Sequence, residues 1–346
     1  MKNVKEKAII DFLQINVIAT SKEIHDALFV DISYATVKRI LRKMLVDGTL
    51  STQGNAKKTK YTISVHHSLF QEIPIDDYFQ KEIDERIIQP QFNFNLLTDV
   101  LVTNSLFTKT EEEQLANLQR QFQQNIAELS PFAFQKEIER LAIDLSWKSS
   151  QIEGNTYSLL ETERLLLHKE TAAGKTKDEA IMLLNHKDAL DFIIEHADYL
   201  NPISVSKIED IHCLLVKELP IDKNIRKRKV GISGTNYKPL DNEYQIIEAL
   251  EKMCDLINRK TSVFEKALIA LLFISYIQPF ADGNKRTARI VSNAILMNYH
   301  FCPLSFRTVD AIEYKKAMLL FYEQNNVSYF KEIFITQYDF AVHTYF

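Results

Sequence analysis

Residues 278–289 read QPFADGNKRTAR, and the reading of this stretch decides the fold. It follows ALIALLFISYI (267–277), a run apolar nearly all round. Such a run belongs on a buried helix and is too short to cross a membrane. Pro279 and Gly283 break the pattern, and TARIVSNAILMNY (287–299) resumes a helical one. Asp282, Gly283 and Asn284 therefore form a turn at the N-terminus of a new helix. Backbone N–H groups there lack helical partners and the helix dipole favours negative charge, so the turn is a candidate phosphate cradle.

The 346 residues suffice for two or three domains. Hydrophobic residues at 46% and charged residues at 25% are ordinary for a soluble globular chain. Only seven glycines and eight prolines point to a largely helical protein without long flexible tracts. Cys213, Cys254 and Cys302 lie far apart with no CxxC pair, and read as small buried hydrophobes in a reducing compartment. The start, MKNVKEKAIIDFLQ, has no signal-peptide core, so a cytoplasmic location is expected. Charge is uneven: residues 1–65 hold 11 Lys or Arg against 6 Asp or Glu, a balance of +5 in a chain of −4 overall. A basic head on an acidic body suggests that the head alone meets polyanions.

The head (1–65) reads as three helices and a hairpin. VKEKAIIDFLQ (4–14) is amphipathic, SKEIHDALF (21–29) opens on Ser21 as an expected N-cap, and SYATVKRILRKMLVDG (33–48) opens near Ser33 or Thr36 and ends at Gly48. TLSTQGNAKKTKYTIS (49–64) gives two short strands around Gly54-Asn55 with a lysine-rich tip. This order resembles a winged helix-turn-helix domain. The resemblance implies a recognition helix at 33–45, with Tyr34, Lys38, Arg39, Arg42 and Lys43 facing a duplex and Lys57, Lys58 and Lys60 over its backbone. A protein-contact or spacer role is the alternative. Residues 66–95 read as a linker with one short helix, whose His66-His67 pair is solvated. Residues 96–346 read as helix after helix, interrupted by a hairpin at RKVGISGTNYKPLDNEYQI (228–246).

QPFADGNKRTAR resembles the Fic (Fido) signature HxFx[D/E]GNGRxxR, matching at Phe280, Asp282, Gly283, Asn284, Arg286 and Arg289, and the likeness covers about 100–330. The fold it implies is a mainly α chain: an N-terminal winged-helix domain plus an all-helical Fic domain with a short β-hairpin flap. The activity it implies is transfer of AMP from ATP to a Ser, Thr or Tyr hydroxyl of a protein. In that chemistry Asp282 would hold Mg2+ bridging the phosphates. Gly283 and Asn284 would offer donors to the α-phosphate, and Arg286 and Arg289, three apart on one helix face, would clamp the outer phosphates.

Two positions depart from the signature. Gln278 stands where the family has the His that takes the proton from the target hydroxyl. A carboxamide cannot accept that proton, although it can accept a hydrogen bond. Losing a general base costs about 10² to 10⁴ in rate. Lys285 replaces the second glycine and resembles the Doc-type members, whose motif carries Asn-Lys-Arg and which transfer a phosphoryl group instead of AMP. A bulky cation there would reshape the anion nest and contact the nucleotide.

Upstream, LSWKSSQIEGNTYSLLETERLL (145–166) carries Ser149, Glu153 and Gly154, which matches the family's inhibitory pattern [S/T]xxxE[G/N] on a helix near 140–155. Ser149 and Glu153 are four apart on one face and Gly154 is placed to end the helix. The match implies that Glu153 pairs with Arg289 and excludes the γ-phosphate. The flap, Val230 to Leu240, is expected to dock a target backbone through Thr235, Asn236, Tyr237 and Lys238. NHKDAL (185–190) and EDIHCLL (209–215) are expected in core packing. The family habit also implies a homodimer. The functions that follow are an impaired Fic-type ATP-binding protein, an active autoinhibited adenylyltransferase, a DNA-binding regulator that uses the Fic body as a nucleotide or partner sensor and, because of Lys285, a Doc-like phosphotransferase.

Overall fold

The computed structural model describes residues 4–54 and 59–346. Lys57 and Lys58 of the expected wing lie outside the described residues. The head contains α1 (Val4–Asn16), β1 (Ala19–Thr20), α2 (Ser21–Leu28), α3 (Tyr34–Val46), β2 (Leu50–Gln53) and β3 (Lys60–Ile63). The strands form one antiparallel sheet in the order β1-β3-β2, with Leu50 opposite Ile63 and Ala19 opposite Tyr61. The two-residue β1 had no sequence signal of its own. Val37, Leu41 and Met44 recur at helical spacing on α3 and bury their side chains against Ile9, Leu13, Ile24 and Leu50.

The cap of α2 differs from expectation. Thr20, not Ser21, is the N-cap, because only from Thr20 does Glu23 fall at the third helical position. Glu23 N–H donates to the Thr20 hydroxyl and the Glu23 carboxylate accepts from Thr20 N–H at 2.7 Å, a reciprocal capping box. Ser33 caps α3, its Oγ accepting from Thr36 N–H.

The stretch read as a linker is docked on the body. It holds two short helices, α4 (Val65–Phe70) and α5 (Ile75–Phe79). Leu69 is buried, its carbonyl accepts from Val327 N–H at 2.9 Å, and Asn326 Nδ2 donates to the carbonyls of Ser68 and Gln71. Farther on, the buried Arg86 guanidinium meets the buried Glu323 carboxylate at 3.1 Å, and Tyr78 Oη donates to the same carboxylate at 2.6 Å. Burial, then the hydrogen bond to Glu323, pushes the Tyr78 hydroxyl well above its usual range. A sequence scan sees these residues as ordinary polar connector; the ion-pair partner lies 237 positions away. Glu323→Ala, which strands a buried guanidinium, is expected to cost about 3–5 kcal/mol in chemical denaturation. A loss under about 1 kcal/mol would show the pair to be solvated like a surface bridge.

The body continues with a π-turn (Leu96–Val100), α6 (Leu101–Thr103), α7 (Lys109–Glu128), α8 (Pro131–Ile152), α9 (Leu159–His168), α10 (Lys177–Glu195), α11 (Val205–Leu215), α12 (Glu243–Arg259), α13 (Val263–Ile277), α14 (Asn284–Asn298), α15 (Ala311–Gln324) and α16 (Ser328–Tyr345). α13 is buried on every face from Phe264 to Ile277, as its unbroken apolar run dictates, and it packs along α14 at the centre of the core. α8, α10, α11, α12 and α15 pack against this pair. No helix among the described residues is long and apolar enough to cross a membrane. Cys213, Cys254 and Cys302 are free.

The expected flap hairpin is not built as one. Among the described residues the only sheet is that of the head. Residues 228–240 form a loop whose arms are tied by a side chain: Arg226 donates from Nη1 to Arg228 O at 2.8 Å and from Nη2 to Leu240 O. The guanidinium takes the carbonyls that a strand ladder would have paired. Lys238 instead donates its N–H to Pro90 O at 2.9 Å and forms a single parallel bridge with Gln91. Arg86 Nη2 donates to Gly234 O at 2.7 Å and Asn236 Nδ2 to Asp84 at 2.8 Å, so the docked connector holds the flap from below. Tyr237 is not at an accessible tip. It is 2% exposed, stacks on Tyr276 at 4.7 Å and donates its hydroxyl to Tyr276 O.

Candidate functional site

The site lies where α13 ends and α14 begins. Gln278 closes α13 in the left-handed region at φ 52°, its N–H still donating to Ile274 O. Gly283, at φ 80°, precedes α14 as its N-cap residue. A Cβ there would stand 3.2 Å from the His212 ring, and the positive φ disfavours any side chain, so both sterics and backbone demand glycine. No side chain caps α14, which leaves the N–H groups of its first turn for a ligand.

The loop between the helices is fixed by Asn284. Its Oδ1 accepts from Phe280 N–H at 2.8 Å, and its Nδ2 donates to Phe280 O at 2.8 Å and to Gln278 Oε1 at 3.0 Å. The Asn284 amide, expected to reach a phosphate, is thus turned inward and only its backbone N–H faces the cradle. Gln278 completes the clasp: Nε2 donates to Ser275 O at 2.7 Å, and its carbonyl accepts from Arg226 Nε at 2.6 Å. Phe280 stacks flat on His212, with ring centroids 3.7 Å apart. Burial, more than any neighbouring charge, depresses the His212 imidazole to about 4, so it is neutral and serves as packing, as the sequence suggested.

Arg289 is fully buried. Its Nε donates to Ser149 Oγ at 2.8 Å, and its Nη2 donates to Ser149 O at 3.0 Å and to Glu153 Oε1 at 2.8 Å. Its guanidinium also lies over the Tyr314 ring. Glu153 is the C-cap residue of α8, and Gly154 follows at φ 100°, the conformation expected of a residue that stops the helix. The second oxygen of Glu153 accepts from Lys285 Nζ at 3.0 Å. Lys285 therefore does not point into the cradle, where sequence placed it; its ammonium lies on the Glu153 carboxylate. Burial opposes ionisation of Glu153, but the charges of Arg289 and Lys285 outweigh it and hold the carboxyl at about 2, below its ordinary 4.5. A depressed carboxyl adds stability that is full above pH 4.5 and disappears only as pH falls through about 2, so mild acid leaves this contact closed.

Arg286 is 1% exposed, yet its one polar partner is Asp282, at 3.5 Å; Nε and Nη1 have none among the described residues. Two orphan donors on a buried cation are costly unless an anion or water meets them. Behind it His186 on α10 is buried with both ring nitrogens unpartnered, and burial, then Arg289 and Arg286, keep the ring neutral. Asp282 is exposed, with one oxygen accepting from Gly283 N–H at 2.6 Å. Among the described residues no group of three or more His, Cys, Asp or Glu could hold a metal ion. A lone exposed carboxylate suits Mg2+ that keeps its waters and arrives on phosphates.

Sequence reading missed Arg226, which secures Gln278, Pro279 and the flap, although its place beside the apolar Ile225 in IRKRKV set it apart from the solvated cations that follow. A cavity of about 840 Å³ lined by Phe70, Phe107, Glu111, Tyr329 and Lys331 lies under α4, away from this motif.

A buried helix, a Gly-Asn turn and two buried arginines on the next helix define an all-helical domain with an uncapped helix N-terminus at this site. Residues 202–296 match the model of the Fic/DOC family. The matched stretch holds the motif, and over it the chain resembles that family. It is 29% identical over 173 residues to protein adenylyltransferase fic-1 of Caenorhabditis elegans, covering 47% of this chain and 33% of that protein. It is 28% identical over 181 residues to protein adenylyltransferase Fic of Nematostella vectensis, covering 49% of this chain and 40% of that protein. The match thus spans a third to two fifths of these relatives. Among solved structures, a fragment of Caenorhabditis elegans Fic-1 superposes with a TM-score of 0.60 at 22% identity, over 68% of this chain and 72% of that one. A Fic-domain signalling protein of Bacteroides thetaiotaomicron superposes at 0.57 and 19% identity, over 67% and 96%. These likenesses establish the fold.

Proposed function

We propose that this chain is a Fic-type ATP-binding protein, held closed by Glu153 and impaired in AMP transfer by Gln278. One observation carries the reading: Glu153 spends its carboxylate on Arg289, a fully buried cation with a further unpartnered N–H, beside a second buried arginine, Arg286, that also has unpartnered N–H groups. A buried arginine of this kind is matched by a phosphate as well as by a carboxylate. The α14 N-terminus and the orphan N–H groups of Arg286 supply the remaining phosphate contacts, and Asp282 would hold Mg2+, whose chemistry there is to offset phosphate charge. The target would be a protein hydroxyl brought in along the exposed part of the flap, near Thr235 and Asn236, and the family's homodimer is carried over with it. Gln278 can orient that hydroxyl, but it takes no proton.

The test is incubation of the Glu153→Gly variant with labelled ATP, Mg2+ and a cell extract. The expected result is ATP bound without label transferred to protein. Covalent labelling at a rate near that of active relatives would overturn the impaired reading.

A second reading concerns the head, favoured by its +5 balance and by the exposure of Lys38, Arg39 and Arg42 along α3. We infer a winged-helix unit that binds duplex DNA, making the chain a regulator with a nucleotide-responsive body. Lys43 contributes less, since Nζ pairs with Glu6 at 2.8 Å. DNA retardation at low salt is expected to weaken on Lys38→Ala and Arg42→Ala, each lowering the salt slope by about 1. Absence of retardation at low salt would remove the DNA reading and leave the first one standing.

A further inference from the structure

Position 285 carries a lysine where the family signature has glycine, and a cradle for phosphate gives that lysine no necessary role. Its surroundings do. Lys285 and Arg289 are four apart on α14, hence on one face. The two oxygens of Glu153 are divided between them, Oε2 at 3.0 Å from Lys285 Nζ and Oε1 at 2.8 Å from Arg289 Nη2. All three side chains are shielded: Arg289 is 0% exposed, Glu153 18% and Lys285 22%. A glycine at 285 would leave Glu153 with one cation. Here the carboxylate spans two, and each N–H that holds it is one that an anionic phosphate oxygen can use in its place.

We propose that Lys285 is the second anchor of the Glu153 brake, and that Lys285 and Arg289 together form a two-cation seat which the terminal phosphate of a nucleoside triphosphate takes over from Glu153. The seat rests on the reading that this site binds ATP; the anchor does not. Lys285 therefore has opposite effects in the two states of the site. While Glu153 is present, Lys285 helps the competitor. Once Glu153 is gone, Lys285 helps the ligand, and it helps a triphosphate more than a diphosphate, because the outermost phosphate meets both cations.

The experiment is calorimetric titration of ATP and ADP into the full chain in four forms: unaltered, Lys285→Met, Glu153→Gly and the double variant. In the presence of Glu153, Lys285→Met is expected to tighten ATP about threefold or more. In the Glu153→Gly background the same substitution is expected to weaken ATP about tenfold, the loss of one charged hydrogen bond, and to weaken ADP less. A change of the same sign in both backgrounds, or no change in either, overturns the proposal. A thermal-unfolding double-mutant cycle of Lys285→Met with Glu153→Gln reads the anchor with no nucleotide present. Coupling between the two changes is expected, and strict additivity refutes the anchor. If no form binds ATP while the cycle shows coupling, the nucleotide-binding reading fails and the seat with it, but the anchor stands.

Discussion

Glu153→Gly is expected to raise the affinity of the chain for ATP by about 10- to 100-fold, measured by calorimetric titration in the presence of Mg2+. On the proposed function Glu153 is a competitor tethered in place, so apparent affinity would be the intrinsic affinity scaled by the fraction of molecules in which the carboxylate has moved aside. An open fraction of about 1–10% gives the stated range. The gain is available because the cation that is freed needs no reorganisation. Arg289 remains oriented by Ser149, whose Oγ and carbonyl hold Nε and Nη2 from the opposite side, and by the Tyr314 ring beneath it. Lowering the pH from 8 to 5.5 does not mimic the substitution, since a carboxyl held at about 2 stays ionised throughout. An unchanged affinity in the variant would mean that Glu153 does not obstruct the nucleotide.

The second large effect is expected at position 278. In the Glu153→Gly background, Gln278→His should raise transfer of labelled AMP to protein by about 10² to 10⁴, the range a positioned general base supplies. The local structure accommodates the change. Histidine is among the residues tolerated at positive φ, and Gln278 sits at φ 52°. The loop does not depend on the side chain at 278, because Asn284 still exchanges hydrogen bonds with the Phe280 N–H and carbonyl at 2.8 Å each, which leaves the one basic ring nitrogen for the acceptor hydroxyl. The carbonyl of residue 278 keeps its bond from Arg226 whatever the side chain. Because Gln278 is only 8% exposed, the imidazole would meet the acceptor hydroxyl in a largely dry site, where the proton transfer is best directed. No gain in labelling, with ATP binding intact, would place the block elsewhere, and Lys285 is the other departure from the family signature.

Much of the site was legible in advance for a local reason. The unbroken apolar run of 267–277 can be satisfied only inside a core, a turn at Asp282-Gly283-Asn284 must precede the next helix, and the spacing of Ser149 and Glu153 places both on one helix face. Each inference depends on residues within a turn or two of each other, where backbone geometry leaves few choices. The same kind of reasoning erred at Ser21, one residue late, because N-cap residue types are interchangeable until the reciprocal partner at Glu23 is counted back. It also erred on the flap, where alternation and turn residues satisfy a hairpin pattern, but Arg226 reaches the carbonyls first.

By itself, then, the amino-acid order determined the buried helix, the glycine turn, the cationic helix after it and the acidic position poised to oppose them. Tertiary structure alone decided where the free valences went. Lys285 finds Glu153 across 132 positions and Arg86 finds Glu323 across 237. Asn284 turns toward Gln278 instead of outward, and Tyr237 sinks beneath the flap. The physical reason is one of range. Helix formation and turn chemistry are settled among near neighbours, whereas the partner of a long charged or aromatic side chain depends on which two surfaces the finished core brings together.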